Sequence, residues 1–103
     1  MDQNKEYKVT ISDYALRDLD SIYAYIANTL LAPETALTLV DEIESGILSL
    51  GIMPHRCPER RVGAYANRGY RQLFVKNYTI LFRIDERKKL VIVITVRYSA
   101  GQF

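Results

Sequence analysis

The sequence predicts an α+β fold: a short N-terminal strand, an antiparallel pair of helices, then three consecutive antiparallel strands, all in one domain spanning residues 1–103. Three observations carry this. Residues 69–98 read GYRQLFVKNYTILFRIDERKKLVIVITVRY and hold three runs rich in β-branched and aromatic side chains, Tyr70–Val75, Tyr78–Ile84 and Leu90–Tyr98. Only Lys76-Asn77 separates the first two runs, a gap that suits a two-residue hairpin in which Asn77 takes positive φ. Upstream, apolar residues recur at three- and four-residue steps in two segments, the period of amphipathic helices.

Taken in order, Tyr7–Ile11 alternates apolar and polar residues and reads as the first strand. Ser12 can cap a helix, with Asp13 in the first turn where the helix dipole favours an acid. That helix runs from Tyr14 to about Asn28, with Leu16, Leu19, Tyr23, Ile26 and Leu30 as its apolar stripe. Pro33 suits the first position of a second helix and Glu34 its first turn. Its stripe is Ala36, Val40, Ile43, Ile47 and Leu50, widened by Leu37 and Leu39, and Gly51 stops it. The short link makes the two helices a hairpin, whose stripes can bury against each other and against one sheet face.

Alternation assigns the faces of the strands. In the second run Tyr78, Ile80, Phe82 and Ile84 oppose Thr79, Leu81 and Arg83. In the third, Leu90, Ile92, Ile94, Val96 and Tyr98 oppose Val91, Val93, Thr95 and Arg97. Each strand thus has one wholly apolar face and one mixed face with an arginine, and an antiparallel sheet shows such a mixed face to water. Arg83 and Arg97 are therefore displayed, and Arg71 is placed beside them by analogy.

At 103 residues the chain suffices for one modest core. No apolar run reaches the ~20 residues of a membrane span, and residues 1–9, MDQNKEYKV, hold no apolar signal-peptide core. The expected location is the cytoplasm, and the lone Cys57, unable to form an internal disulfide, agrees with a reducing compartment. The net charge of +2 conceals an asymmetry: residues 1–50 carry three bases against nine acids, residues 51–103 eleven bases against three acids. A basic half of this kind favours polyanions, or else is a solvated surface.

Residues 52–69, IMPHRCPERRVGAYANRG, lack periodicity and read as a long basic loop, a length usually functional or disordered. No phosphate-cradling glycine motif, multi-histidine metal set or nucleophile elbow is present in the sequence, and no cofactor is expected. What remains is a cluster of arginines and tyrosines beside that loop. Arginine holds phosphate bidentately, and tyrosine and arginine stack on unpaired bases. That set fits RNA binding or metal-independent phosphodiester cleavage.

The order strand, two helices, three strands resembles the RelE/ParE superfamily of bacterial type II toxins. The likeness lies in Gly69-Tyr70-Arg71-Gln72-Leu73, the hairpin Val75-Lys76-Asn77-Tyr78, the segment Phe82-Arg83-Ile84-Asp85 and the closing Val96-Arg97-Tyr98. It implies helices packed on one face of a curved four-stranded sheet, and an antitoxin partner whose flexible, acidic segment wraps the toxin. The superfamily divides in function: RelE-like members cleave mRNA on the ribosome, whereas ParE-like members poison DNA gyrase without chemistry of their own. For the first branch the resemblance implies Arg71 and Arg97 as phosphate-stabilising catalytic residues, Glu59 after Pro58 as base, and Tyr98 as a further catalytic residue. Arg56, Arg60, Arg61, Lys76 and Arg83 would hold RNA phosphates. Ser99-Ala100 stands where some members have a histidine and a tyrosine, which leaves the general acid to Tyr98 or His55, or points to gyrase. A degenerate toxin that mainly binds its antitoxin is a third reading. Plainer roles stand beside these: Glu59 in a surface ion pair, Tyr98 in core packing by its parity with Val96, Lys76 as a turn residue.

Overall fold

The computed structural model describes residues 6–100; the sequence readings of residues 1–5 and 101–103 lie outside them. The elements are β1 (Lys8–Ile11), α1 (Asp13–Ala24) continued by a π-helical turn (Tyr25–Thr29), α2 (Pro33–Ser49), a 3₁₀ turn (Pro54–Arg56), β2 (Arg71–Val75), β3 (Tyr78–Asp85) and β4 (Leu90–Tyr98). The four strands form one sheet in the order β1-β4-β3-β2. β1 runs parallel to β4, and the other neighbours are antiparallel. The C-terminal strand is therefore central, and the sheet is mixed. In the β2–β3 turn the left-handed residue is Lys76, at φ +54°, and not the expected Asn77.

Ser12 caps α1 twice over. Its Oγ accepts from the Ala15 N–H at 3.1 Å and donates to the Ile94 carbonyl at 3.0 Å, so the cap also pins the helix start to β4. The buried side of α1 follows Ala15, Leu19, Ile22 and Ile26. The expected stripe is shifted: Leu16 is 46% exposed, and Tyr23 and Leu30 also face outward. Small Ala15 lets the helix lie close to the strand, which turns the bulkier Leu16 away. In α2, Ala36, Ile43, Ile47 and Leu50 are buried as the period requires, Leu39 packs beside them, and Leu37 faces solvent. Gly46 is a point of close approach between α2 and the sheet. A Cβ there would stand 2.7 Å from Val75 Cγ2, a separation no side chain tolerates.

The main core is made by Ala15, Leu19, Ile43, Ile47 and Leu50 from the helices, and by Ile80, Phe82, Val91, Val93 and Val96 from the sheet. That list contradicts simple alternation along β4, because Val91 and Val93 share a side with Val96. A β-bulge causes it. Leu81 pairs with Thr95, but the next residue, Phe82, pairs with Val93, leaving Ile94 extra. The extra residue resets the parity, so valines on both sides of it reach the core. Thr95 and Arg97 remain on the face away from the helices.

The bulge is held by α1. β1 pairs with β4 only as far as Val93. Beyond that point the Asp18 carboxylate accepts from the buried Thr95 hydroxyl and from the Val96 N–H, the latter at 3.0 Å. Asp18→Ala leaves both donors without this acceptor, and each buried unpaired group costs about 1–3 kcal/mol. Urea denaturation should show a loss of about 2–3 kcal/mol for Asp18→Ala and a smaller one for Asp18→Asn, which keeps an acceptor. An Asp18→Ala protein as stable as the wild type would remove the carboxylate from this role.

Candidate functional site

The segment between α2 and β2 is tied down by arginines. Arg56 folds back on the end of α2, donating to the carbonyls of Ile52 (2.8 Å) and Met53 (3.2 Å) and to Ser49 Oγ (3.0 Å). It thereby ties the turn that follows α2 to the helix end at Ser49. Pro58–Arg60 then runs along the free edge of β2: Gln72 N–H donates to the Pro58 carbonyl, and Arg60 N–H to the Tyr70 carbonyl. Arg60 itself is only 9% exposed, with Nε on the Ala64 carbonyl at 3.0 Å and Nη1 on Gln72 Oε1 at 3.1 Å. Both side chains, expected to hold RNA phosphates, are engaged in holding this segment.

Arg71 and Arg97 do not share a face. Arg71 pairs with Phe82 and has the parity of Leu73 and Val75, which pack on the core, so it leaves the sheet on the helix side. Its Nη1 donates to the carbonyls of Cys57 (2.6 Å) and His55 (3.4 Å), and Nη2 lies 3.7 Å from Glu59 Oε2. Arg97 pairs with Thr79 and leaves on the opposite side. Its Nε donates to Thr95 Oγ1 at 3.1 Å and its Nη2 to the Tyr14 hydroxyl at 3.3 Å. The expectation that both guanidinium groups project from one displayed face is thus corrected, because Arg71 follows its apolar strand neighbours and not the arginines of β3 and β4.

The remaining candidates scatter. Arg83 is exposed on the face of Arg97 and makes no ion pair among the described residues. Glu59 sits between Arg71 and the exposed Arg61, whose Nη2 is 3.5 Å away. Lys76 lies 3.8 Å from Glu42. Tyr98 is on the helix side, its ring edge-on to Tyr78 at 5.5 Å. It borders a groove of ≈ 760 Å³ whose apolar lining includes Ile22, Tyr25, Leu30 and Tyr78. His55 Nε2 is 2.8 Å from Glu86 Oε2, and Glu86 also accepts from the Tyr7 hydroxyl at 2.8 Å. Cys57 is buried, and burial pushes its thiol up, so it is poorly suited to act as a nucleophile.

One cluster escapes the sequence reading. Arg68 joins Arg97 around a cleft of ≈ 520 Å³ whose other walls are Gly63, Ala64, Tyr65 and Ala66. The available signal was the spacing of Gly63, Asn67 and Gly69, residues that tolerate left-handed backbone.

The sequence matches the family model described as the ParE toxin of the type II toxin–antitoxin system, parDE, over residues 9–103. No curated protein matches it significantly. In fold it is similar to a chain of the chromosomal ParDE toxin–antitoxin system from P. aeruginosa, with TM-score 0.74 and 22% identity over 91% of this chain and 97% of that one. It is also similar to a chain of the RelBE2 toxin–antitoxin complex from Mycobacterium tuberculosis, with TM-score 0.63 and 23% identity over 98% and 100% of the two chains. A mutant form of the free E. coli toxin RelE matches with TM-score 0.59 and 12% identity over 92% and 85%.

Two measurements check the geometry. Arg71→Ala should lower stability by about 1–3 kcal/mol, because it strips carbonyls of a charged donor, and should speed amide exchange around residues 57–72. Arg83→Ala should stay within about 0.5 kcal/mol of the wild type; equal effects would contradict the anchoring role. The Tyr7 hydrogen bond holds the Glu86 carboxyl below its ordinary value; desolvation opposes it, and the charges of His55 and Lys89 add to the lowering. The stability it adds is therefore present above the unfolded carboxylate pKa and is lost as pH falls through the lowered folded value. Thermal melts of Glu86→Gln and wild type should differ at neutral pH and converge in acid; a gap that persists in acid would rule out the charge as its source.

Proposed function

The chain belongs to the ParE toxin family of type II toxin–antitoxin systems, and we propose that it stops growth by binding DNA gyrase, without cleaving message. The observation that carries this reading is the placement of Arg71 and Arg97 on opposite sides of the sheet. Phosphodiester cleavage without metal needs cations gathered on one phosphate as charge builds in the transition state. Arg71 instead spends its donors on the carbonyls of His55 and Cys57 and leans on Glu59. The nearest carboxylate to serve as base is thereby tied to the same guanidinium. Tyr98, the remaining catalytic candidate, packs its ring edge-on against Tyr78.

An antitoxin is the natural partner. Two of the neighbours named above come from toxin–antitoxin systems, and the basic half of this chain suits an acidic, partly disordered segment. A second reading, ribosome-dependent mRNA cleavage, draws support from one feature: Arg83 and Arg97 do share the face away from the helices.

Purified toxin should block supercoiling by gyrase and leave translated message uncut in a primer-extension assay. Cut message with supercoiling intact would reverse the assignment. Antitoxin affinity should fall with added salt, since exposed charges are screened within ~8–10 Å at physiological ionic strength; an affinity indifferent to salt would deny the basic half its part.

A further inference from the structure

We propose that the outer face of α2 docks a second copy of this chain, which brings its Arg61-Val62 corner to the acids and the apolar cleft at the end of that helix. The sequence supplies the first part of the argument. No lysine, arginine or histidine stands between Asp18 and Pro54, so α2 has no base of its own. Along the helix Glu34, Leu37, Asp41, Glu44 and Leu48 recur at steps of three and four, which sets them on one face. All five are exposed, while Ala36, Ile43 and Ile47 form the buried side. The solvent face of such a helix is ordinarily polar. Here Leu37 and Leu48 flank the acids, and Leu48 is 71% exposed.

The stripe runs into a cleft of ≈ 390 Å³ lined by Leu48, Ser49, Ile52, Met53 and Arg56. Leu48, Ile52 and Met53 are each more than half exposed, and exposed apolar side chains gathered in this way mark a protein interface. Met53 stands in the left-handed region at φ +51°, a conformation kept only where the surroundings impose it. Arg56 helps to impose it by donating to the Ile52 and Met53 carbonyls. The one base at the cleft is thus turned onto backbone. Glu34, Asp41 and Glu44 make no ion pair among the described residues. The occupant that this face calls for is therefore both apolar and basic.

That complement is present on the chain itself. Val62 is 79% exposed. Its neighbour Arg61 is also exposed and meets only Glu59, at 3.5 Å, among the described residues. The corner is carried on a fixed support, because Gln72 N–H donates to the Pro58 carbonyl and Arg60 N–H to the Tyr70 carbonyl just before it. Arginine can take a carboxylate with two parallel hydrogen bonds. Glu44 and Leu48 are neighbours at i and i+4, as Arg61 and Val62 are along the loop, so one docking serves both contacts. An acidic antitoxin segment would find no base on α2, which leaves this face to the second copy. The contact is small, so association is weak and depends on concentration. It does not depend on whether gyrase or message is the toxin's target.

Sedimentation velocity on the full-length toxin, over a range of concentrations at low and high salt, tests this. The sedimentation coefficient should rise with concentration, and added salt should weaken the association. Glu44→Lys and Arg61→Glu, both at exposed positions, should each weaken it about tenfold or more, because each sets like charges against one another. The double variant Glu44→Lys/Arg61→Glu should regain it, since the pair is restored with its signs exchanged. Arg83→Glu should leave it unchanged. Single reversals without effect, or a double variant no better than the singles, would overturn the pairing. A toxin monomeric at every concentration would overturn the proposal and leave the face to a basic segment of another protein.

Discussion

Where β4 gains its extra residue, the Asp18 carboxylate takes the Thr95 hydroxyl and the Val96 N–H. Much else rests on that contact. With the extra residue in place, Val91, Val93 and Val96 all reach the core, and Ile80 and Phe82 face them from β3. In an unbroken strand one of these sets would face solvent, because a one-residue shift moves every later side chain to the other face. The same contact steadies Arg97, since its Nε rests on the hydroxyl that Asp18 fixes. Core packing and the orientation of an outward-facing cation thus share one cause.

The arginines of the second half divide by what their donors meet. Arg56, Arg60 and Arg71 turn inward to carbonyls that a loop without regular structure would otherwise leave open. Backbone acceptors in partly buried loops need such partners, and a long forked side chain supplies several donors from one position. Arg97 donates to Thr95 Oγ1 and the Tyr14 hydroxyl, while Arg61, Arg68 and Arg83 serve the outer surface. The excess of base over acid beyond residue 50 therefore overstates the charge available to a partner.

Local signals in the sequence were sufficient for the elements. The Ser12 cap, Pro33 at the start of α2, the α2 stripe and the two-residue hairpin all stand in the structure where periodicity and turn chemistry put them. What failed was non-local. The bulge has no signature in LVIVITVRY, where every residue favours a strand, and its cause lies on another element at Asp18. Arg71 was assigned by likeness to Arg83 and Arg97, although Leu73 and Val75, of its own parity, already marked the core side. Arg68 was counted only as loop charge, because the handedness of residues 63–69 is set by Arg60 reaching across from the sheet edge.

The position of β4 also bears on when the fold can form. β4 lies between β1 and β3, and it receives β1 through pairs such as Lys8 with Leu90. Closing that distance brings together segments far apart in the sequence, the kind of long-range pairing that delays assembly. A polypeptide that lacks β4 has no centre for its sheet and none of the buried core valines Val91, Val93 and Val96. The sheet and its core therefore cannot close around β1, β2 and β3 alone.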